Sequence, residues 1–365
     1  MLKIGIVGLP NVGKSTLFNA ITKKQVEAAN YPFTTIEPNV GVVAVNDPRM
    51  PLLAKIYGPK KIIPAAVEFI DIAGLVKDAS KGEGLGNQFL SHIRYVDAIF
   101  HVIRGFHDDN ITHVSGKVDP ISDLETIEME LILSDLEQIE RRMSRLERQV
   151  KASLKEAIFE YELLKKLKTT IENGESLKTL TLTKDELLFL KNFNLLSLKP
   201  VIYILNLLDT DLSNYEENPF YLKLKERANL EKIEVIPISS TLEYEISLLN
   251  EEDQIEFLNS YGLKESGLNY AIRRGYNLLG LETFFTAGEK ELRAWTYTIG
   301  ATAKEAAGII HSDFERGFIK AEVTSYEDAI KYQNPLKVKE AGRLRIEGKE
   351  YIVKDGDIIL FRFNV

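Results

Sequence analysis

Along the first hundred residues short β-rich apolar runs alternate with helix-like segments. Leu2–Gly8 (LKIGIVG), Asn39–Val45 (NVGVVAV), Ala66–Ile72 (AVEFIDI) and Asp97–Ile103 (DAIFHVI) are predicted strands. Leu2–Gly8 and Asp97–Ile103 are mostly continuous apolar runs, the pattern of strands covered by helices on both faces. Lys199–Leu205 and Ile233–Ile238 repeat that signature further along. Strands alternating with helices predict an α/β fold with a largely parallel, doubly wound sheet.

Between Ile103 and Lys199 the pattern changes. No Gly or Pro occurs from Asp123 to Val150, and Leu136, Ile139, Met143, Leu146 and Val150 follow at spacings of 3, 4, 3 and 4. So narrow a stripe suits a helix packed on one antiparallel partner. Leu154, Ile158 and Tyr161 continue it, which predicts a helical hairpin arm over residues 123–198, inserted into an α/β domain of residues 1–122 and 199–282. The final stretch, 283–365, changes character again. Phe284–Thr298, Gly317–Val323, Gly342–Val353 and Asp357–Asn364 are predicted strands, broken by turn signals at Gly348 and Asp355-Gly356, with one helix over Thr302–Ile310. A mixed β domain of its own is expected there.

Composition narrows the class. The 365 residues carry 46 Lys+Arg against 54 Asp+Glu, a net charge of −8, and no cysteine. The length suits two or three domains. Absence of Cys excludes disulfides, thiolate metal sites and thiol catalysis. The start at Met1 runs directly into a strand pattern with no charged-then-apolar leader, and no apolar run reaches the ~18 residues of a membrane helix. A cytoplasmic protein is expected. The acidic balance gives no general attraction to nucleic acid, and no DNA specificity is inferred. One local exception is the arm, where Arg141, Arg142, Arg145, Arg148, Lys151 and Lys155 face only Glu147. Arg141, Arg145, Arg148 and Lys155 are expected on one helical face, suited to RNA or to solvent.

The chemistry concentrates in Gly8-Leu9-Pro10-Asn11-Val12-Gly13-Lys14-Ser15-Thr16, which matches G-x-x-x-x-G-K-[ST] between a predicted strand and a helix. Glycines let backbone N–H groups converge on phosphate oxygens, and the helix N-terminus adds positive potential. Lys14 would reach the terminal phosphates and Ser15 would ligate Mg²⁺. Asp71-Ile72-Ala73-Gly74 ends a strand, where Asp71 can hold Mg²⁺ through water and Gly74 can approach a γ-phosphate. A hydroxyl from Thr34 or Thr35 could complete the metal shell and order its loop only with a triphosphate bound. Asn11 could hold a monovalent cation beside the phosphates. Base recognition is expected at Asn206-Leu207-Leu208-Asp209. There Asp209 keeps the carboxylate of the guanine-reading Asn-Lys-x-Asp pattern, and Leu207 replaces its Lys. Ser239-Ser240 would supply a last base-contacting loop or a helix cap. Leu75 stands where many GTPases place a water-positioning Gln. His113, in a polar loop, is a candidate replacement or a solvated side chain. His101, inside an apolar strand, reads as a satisfied core residue.

Taken together, GLPNVGKSTLFNA (Gly8–Ala20), NYPFTTIEPNVG (Asn30–Gly41), DIAGLVKDASKGEGLGNQFL (Asp71–Leu90), HVSGKVDP (His113–Pro120), the stretch Phe285–Val323 and KDGDIILFRFNV (Lys354–Val365) resemble the YchF-type (Obg-like) ATPases, also called EngD. The resemblance spans nearly the whole chain. It implies a Ras-like P-loop NTPase domain, an inserted coiled-coil arm and a C-terminal β-grasp (TGS) domain associated with RNA or ribosome binding. It further implies ATP hydrolysis, often in preference to GTP, with Mg²⁺ and K⁺. Phosphate contacts map onto Asn11, Val12, Gly13, Lys14, Ser15 and Thr16, Mg²⁺ ligation onto Ser15 and Thr35, base contacts near Asn206 and Leu207, and the catalytic His onto His113. Asp78 replaces a usual Gly, and Asp209 a usual Glu, which could restore some guanine binding. The rival readings are a GTPase of the same type and an RNA- or ribosome-binding module with incidental turnover.

Overall fold

A computed structural model of the protein describes residues 2–23, 39–72, 85–108 and 117–364. In chain order the first unit comprises β1 (Lys3–Val7), α1 (Lys14–Lys23), β2 (Val40–Ala44), α2 (Arg49–Tyr57), β3 (Ile62–Ile63), β4 (Ala66–Asp71), α3 (Leu85–Tyr95) and β5 (Ala98–Arg104). An insertion follows, with α4 (Pro120–Lys151), α5 (Lys155–Glu172) and α6 (Lys184–Phe193). The chain then returns through β6 (Val201–Asn206), α7 (Pro219–Glu231), β7 (Val235–Ile238), α8 (Ser240–Ser247), α9 (Glu251–Ser260) and α10 (Gly267–Leu278). The six strands expected from the apolar runs form one sheet in the order β2-β4-β1-β5-β6-β7. All neighbours are parallel except β2, which runs antiparallel to β4. All seven residues of β5 are buried, which accounts for its unbroken apolar pattern.

α4 begins at an Asp119 cap, whose carboxylate accepts from the Ile121 and Ser122 N–H groups, with Pro120 in the first helical position. Its 32 residues serve two cores in succession. Leu124, Ile127 and Leu131 pack toward the sheet, and only from Ile139 and Leu146 onward does the helix face α5. Arm and nucleotide domain thus share a helix, so no clean division falls at residue 123. The expected stripe past the bend is also out of phase. Leu154 sits at the hairpin tip and is 52% exposed, Ile158 is exposed too, and Ala157, Leu163, Leu164 and Leu167 make the contact with α4. The bend at Ala152–Leu154, with Ser153 at φ 57°, resets the helical phase. For the same reason Lys155 opens a new helix and does not share a face with Arg148.

Two links fix the arm's base. Buried Asp135 accepts from the Leu196 and Ser197 N–H groups and the Ser197 hydroxyl. Arg94, near the end of α3, donates to Ser134 Oγ at 3.1 Å and to Gln138 Oε1, both on α4.

The closing region comprises β8 (Leu281–Ala287), β9 (Leu292–Thr298), α11 (Ala303–Ile310), α12 (Ser312–Arg316), β10 (Phe318–Thr324), α13 (Tyr326–Tyr332), α14 (Pro335–Glu340), β11 (Arg345–Glu347) and β12 (Ile358–Phe363). The helix predicted over Thr302–Ile310 is present, begun by a Thr302–Glu305 capping box. The predicted Gly342–Val353 strand shrinks to Arg345–Glu347, and three short helices escaped the periodicity because one or two turns leave too little of it. The sheet order is β11-β10-β12-β8-β9-β3, so its edge strand comes from the first unit. One apolar core runs from Ile4, Leu17 and Phe100 through Met50 and Leu53 of α2 to Phe285, Leu292 and Ile358. The closing region has a core of its own, with Phe284, Tyr297, Ala307, Val323 and Phe361, and also shares a sheet edge and a second core with the first unit.

Arg49 clasps this junction. Its guanidinium donates to Asp47 at 2.7 Å and to Asp355 at 2.7 Å, and it lies 5.2 Å from the Phe285 ring centre. Removing it leaves two carboxylates without their shared cation. Arg49→Ala should lower stability by ~1–3 kcal/mol, read as a lower urea midpoint. An unchanged midpoint would assign the junction to apolar packing alone.

Candidate functional site

The glycine turn sits where the sequence places it, between β1 and α1 at the carboxyl edge of the parallel strands. Two of its positions need special backbone. Gly13 has φ 96°, and a Cβ there would fall 2.2 Å from Asn206 Nδ2. Gly8 lies against β5, where a Cβ would come 2.4 Å from the Val102 carbonyl oxygen. Asn11 also adopts positive φ, at 62°, a conformation Asn tolerates better than most residues. Val12 is buried, Ser15 and Asn11 are exposed, and Thr16 is half-buried at the opening of α1.

Lys14 is only 9% exposed, and its ammonium reaches the Leu9 carbonyl at 3.5 Å. Burial pushes its pKa down, while the field of Asp71 pulls the other way. Asp71 ends β4, and burial raises its carboxyl against the opposing pull of Lys14. Asp71 Oδ1 is buried with no hydrogen-bond partner among the described residues. A buried carboxylate oxygen left unpaired is costly, and a hard cation or its water would satisfy it. The oxygen donors of Asp71 and Ser15 are of the type that Mg²⁺ prefers, so these residues fit such an ion.

Asn206 braces the site. Its Nδ2 donates to the Val12 carbonyl at 2.9 Å, its Oδ1 accepts from the Ser240 N–H at 2.8 Å, and its own carbonyl accepts from the Gly105 N–H at 2.8 Å. The phosphate-loop turn, the end of β5 and the start of α8 therefore meet at one side chain. Leu207 is 2% exposed and packs among Ile103, Leu205 and Leu242. Its side chain belongs to the core and is not available to lie over a base. Asp209 is exposed. Ser239 caps α8, accepting from the Leu242 N–H at 3.3 Å. Its neighbour Ser240 faces the turn instead, with a buried hydroxyl that has no hydrogen-bond partner among the described residues.

Sequence reasoning missed Arg104. Ending a strand otherwise apolar but for His101, it is 1% exposed, donates to the Phe106 carbonyl at 3.0 Å and the Asp108 carbonyl at 3.3 Å, and stacks 4.5 Å from the Phe106 ring centre. It shapes the chain leaving β5. A charge closing so apolar a run was the available signal. Thr34, Thr35, Gly74, Leu75, Asp78 and His113 lie outside the described residues.

His101 departs from expectation. It is buried, yet its ring makes no hydrogen bond among the described residues and contacts Tyr203 edge-to-face at 5.9 Å. Burial, helped by Lys178, pushes its pKa down to about 3.

These features define a class: a P-loop NTPase built on a Ras-like sheet, with a helical arm inserted before β6 and a β-rich closing region. Residues 3–149 match the family described as 50S ribosome-binding GTPase, and residues 281–364 match the YchF-GTPase C-terminal family, described as a protein of unknown function. The ribosome-binding ATPase YchF of Bacillus subtilis is 54% identical over 364 residues, covering 100% of both chains. That of Escherichia coli O157:H7 is 52% identical over 363 residues, covering 100% of this chain and 99% of the other. The solved Schizosaccharomyces pombe YchF GTPase is 40% identical with a TM-score of 0.88, covering 99% of this chain and 97% of that one. The chain belongs to the YchF family. P-loop GTPases generally work with Mg²⁺.

His101 provides a test of the described core. Its folded-state pKa lies below the unfolded value of 6.5, so its contribution is complete above pH 6.5 and is lost as pH falls toward 3. Relative to His101→Gln, the wild-type protein should lose up to ~1.4 kcal/mol per pH unit between pH 6 and 4 in urea titrations. Parallel profiles would mean that His101 takes up protons equally in both states.

Proposed function

We propose that the protein binds and hydrolyses ATP in the cytoplasm and uses the cycle to change its contacts with a ribosomal partner. The observation that carries this reading is the buried Lys14 beside Asp71, whose Oδ1 awaits a partner, at the mouth of a glycine turn. Backbone N–H groups from Asn11 to Thr16, together with Lys14, hold the β- and γ-phosphates. Ser15, Thr35 and Asp71 would hold Mg²⁺ and Asn11 would hold K⁺ beside the phosphates, where they would supply positive charge against that growing on the phosphate oxygens. Gly74 lets the chain approach the γ-phosphate. His113 orients the attacking water, a task Leu75 cannot perform. Water attacks the γ-phosphorus, the bond to the β–γ bridging oxygen breaks, and ADP and phosphate leave.

The base would lie near Asn206, Leu207 and Ser239. With Leu207 committed to the core, no Lys stem covers the base, which favours adenine over guanine. GTP is the second reading, because exposed Asp209 keeps a carboxylate that can accept two guanine N–H bonds.

Names of relatives at about half identity point to a ribosome. Between α3 and α4 lies a groove lined by Arg94, Arg141, Arg142, Arg145 and Glu137, with Arg141 paired to Glu137 and Arg142 to Glu160, whose net positive charge would meet RNA phosphates. Arg94 bonds α4 from α3, so a displacement of α3 that follows loss of the γ-phosphate would reach the arm. The closing β-grasp (TGS) region supplies a second contact surface.

Calorimetric titration with ATP and GTP, at matched Mg²⁺ and K⁺, tests the ligand. ATP should bind at least ~10-fold tighter, about 1.4 kcal/mol. A tenfold preference for GTP would overturn the choice of base. His113→Ala should bind ATP with unchanged affinity and hydrolyse it ~10²–10⁴-fold more slowly. Equal turnover would remove His113 from the mechanism.

A further inference from the structure

A cavity of about 330 Å³ lies at the root of the arm, away from the glycine turn. Its floor is the sheet, at Val7, Ile99, Val201 and His101. Its walls are residues 127–136 of α4, the end of α5 with the segment after it, and the C-terminal end of α7. It opens to solvent beside exposed Met129 and Leu133 and has room for roughly ten waters at ~30 Å³ each. It falls within the range of small-molecule sites, at its lower end.

Two observations indicate what would occupy it. The first is His101, 97% buried by its 3% exposure, lining the cavity without a hydrogen bond among the described residues. Its ring is neutral and therefore offers one N–H donor and one nitrogen acceptor. With no protein partner for either nitrogen among the described residues, the ring is left to pair with water or with a ligand in the cavity. The second is the state of the charges around it. Glu128 accepts from the Tyr203 hydroxyl at 2.8 Å and from Arg227 at 3.1 Å, Arg227 also pairs with Glu231 at 3.0 Å, and Lys178 lies 3.3 Å from Glu231. These charges are paired with one another, while Glu231 Oε2 makes no hydrogen bond among the described residues and is left for a neutral donor. A charged ligand would add an unpaired charge to the site, whereas an uncharged one would not.

We propose that this cavity is a second ligand site, for a small uncharged amphiphile with a carboxamide or hydroxyl that pairs with His101 and an apolar body against Ile99, Ile127 and Val201. Such a ligand wedges between the base of α4 and the strands that carry the site, β1 among them through Val7. The site is separate from the nucleotide reading and stands without it.

The test uses the full chain, labelled at isoleucine δ1-methyl groups, with benzamide and toluene as probes. Benzamide should shift the Ile99 and Ile127 methyl resonances saturably, with a dissociation constant on the order of millimolar. His101→Leu should weaken benzamide by about fivefold or more and leave toluene unchanged. Val201→Phe, which fills the cavity, should abolish both, while fluorescent-nucleotide binding reports that the variant is folded. No saturable shift from either probe would show a cavity holding only water. Benzamide binding that survives both substitutions would show adventitious surface association. Equal weakening of both probes by His101→Leu would overturn the assigned ligand class.

Discussion

The amide of Asn206 holds the site together. It bonds Val12 in the phosphate-loop turn, 194 residues earlier, and Ser240 at the head of α8, 34 residues later. With Nδ2 bound to one segment and Oδ1 to the other, neither loop can shift without breaking a buried hydrogen bond. Gly13 accepts this close approach only because it has no Cβ. The brace explains how a turn built from a few residues keeps its shape at the edge of a sheet.

Around that brace, elements repeatedly serve two units at once. α4 packs on the sheet through Ile127 and Leu131 and becomes the first limb of the arm at Ile139. α2 belongs to the first unit by sequence, yet Leu53 lies in the core that reaches Phe285 and Ile358, and β3 closes the edge of the second sheet. Sharing of this kind joins arm and closing region firmly to the nucleotide domain, while each keeps a core of its own. Arg94 and Arg49 add polar ties across the two joints. The acidic chain nonetheless gathers arginines on the arm, two of them paired, Arg141 with Glu137 and Arg142 with Glu160.

How legible the site was depended on how local its chemistry is. The turn at Gly8–Thr16 could be read directly because glycine freedom, a helix N-terminus and a Lys at fixed spacing are all properties of adjacent residues. The strand runs were legible for the same reason, since full burial in β5 leaves a continuous apolar record. Ser239 and Ser240 were not separable as a dipeptide. One caps a helix and the other faces the turn, and only the path of the chain decides which. Leu207 could be seen to lack a Lys, but not to have sunk into the core. His101 looked like a satisfied core residue because burial was predictable and the missing partner was not. The arm's second stripe failed at Leu154, where a three-residue bend resets helical phase without any Gly or Pro to announce it.

The sequence by itself determined the alternation of strands and helices, the phosphate-binding turn, the existence of a helical insertion and the family. Each of these is written in contiguous residues whose backbone preferences and burial act over a few positions. Tertiary structure alone decided that Asn206 would brace the turn, that β3 would complete a distant sheet, that α4 would belong to two cores, and that His101 would face a cavity. Those outcomes depend on contacts between residues tens to hundreds of positions apart, where the cost of an unpaired polar group or an unfilled volume is set by whichever neighbours the fold brings near.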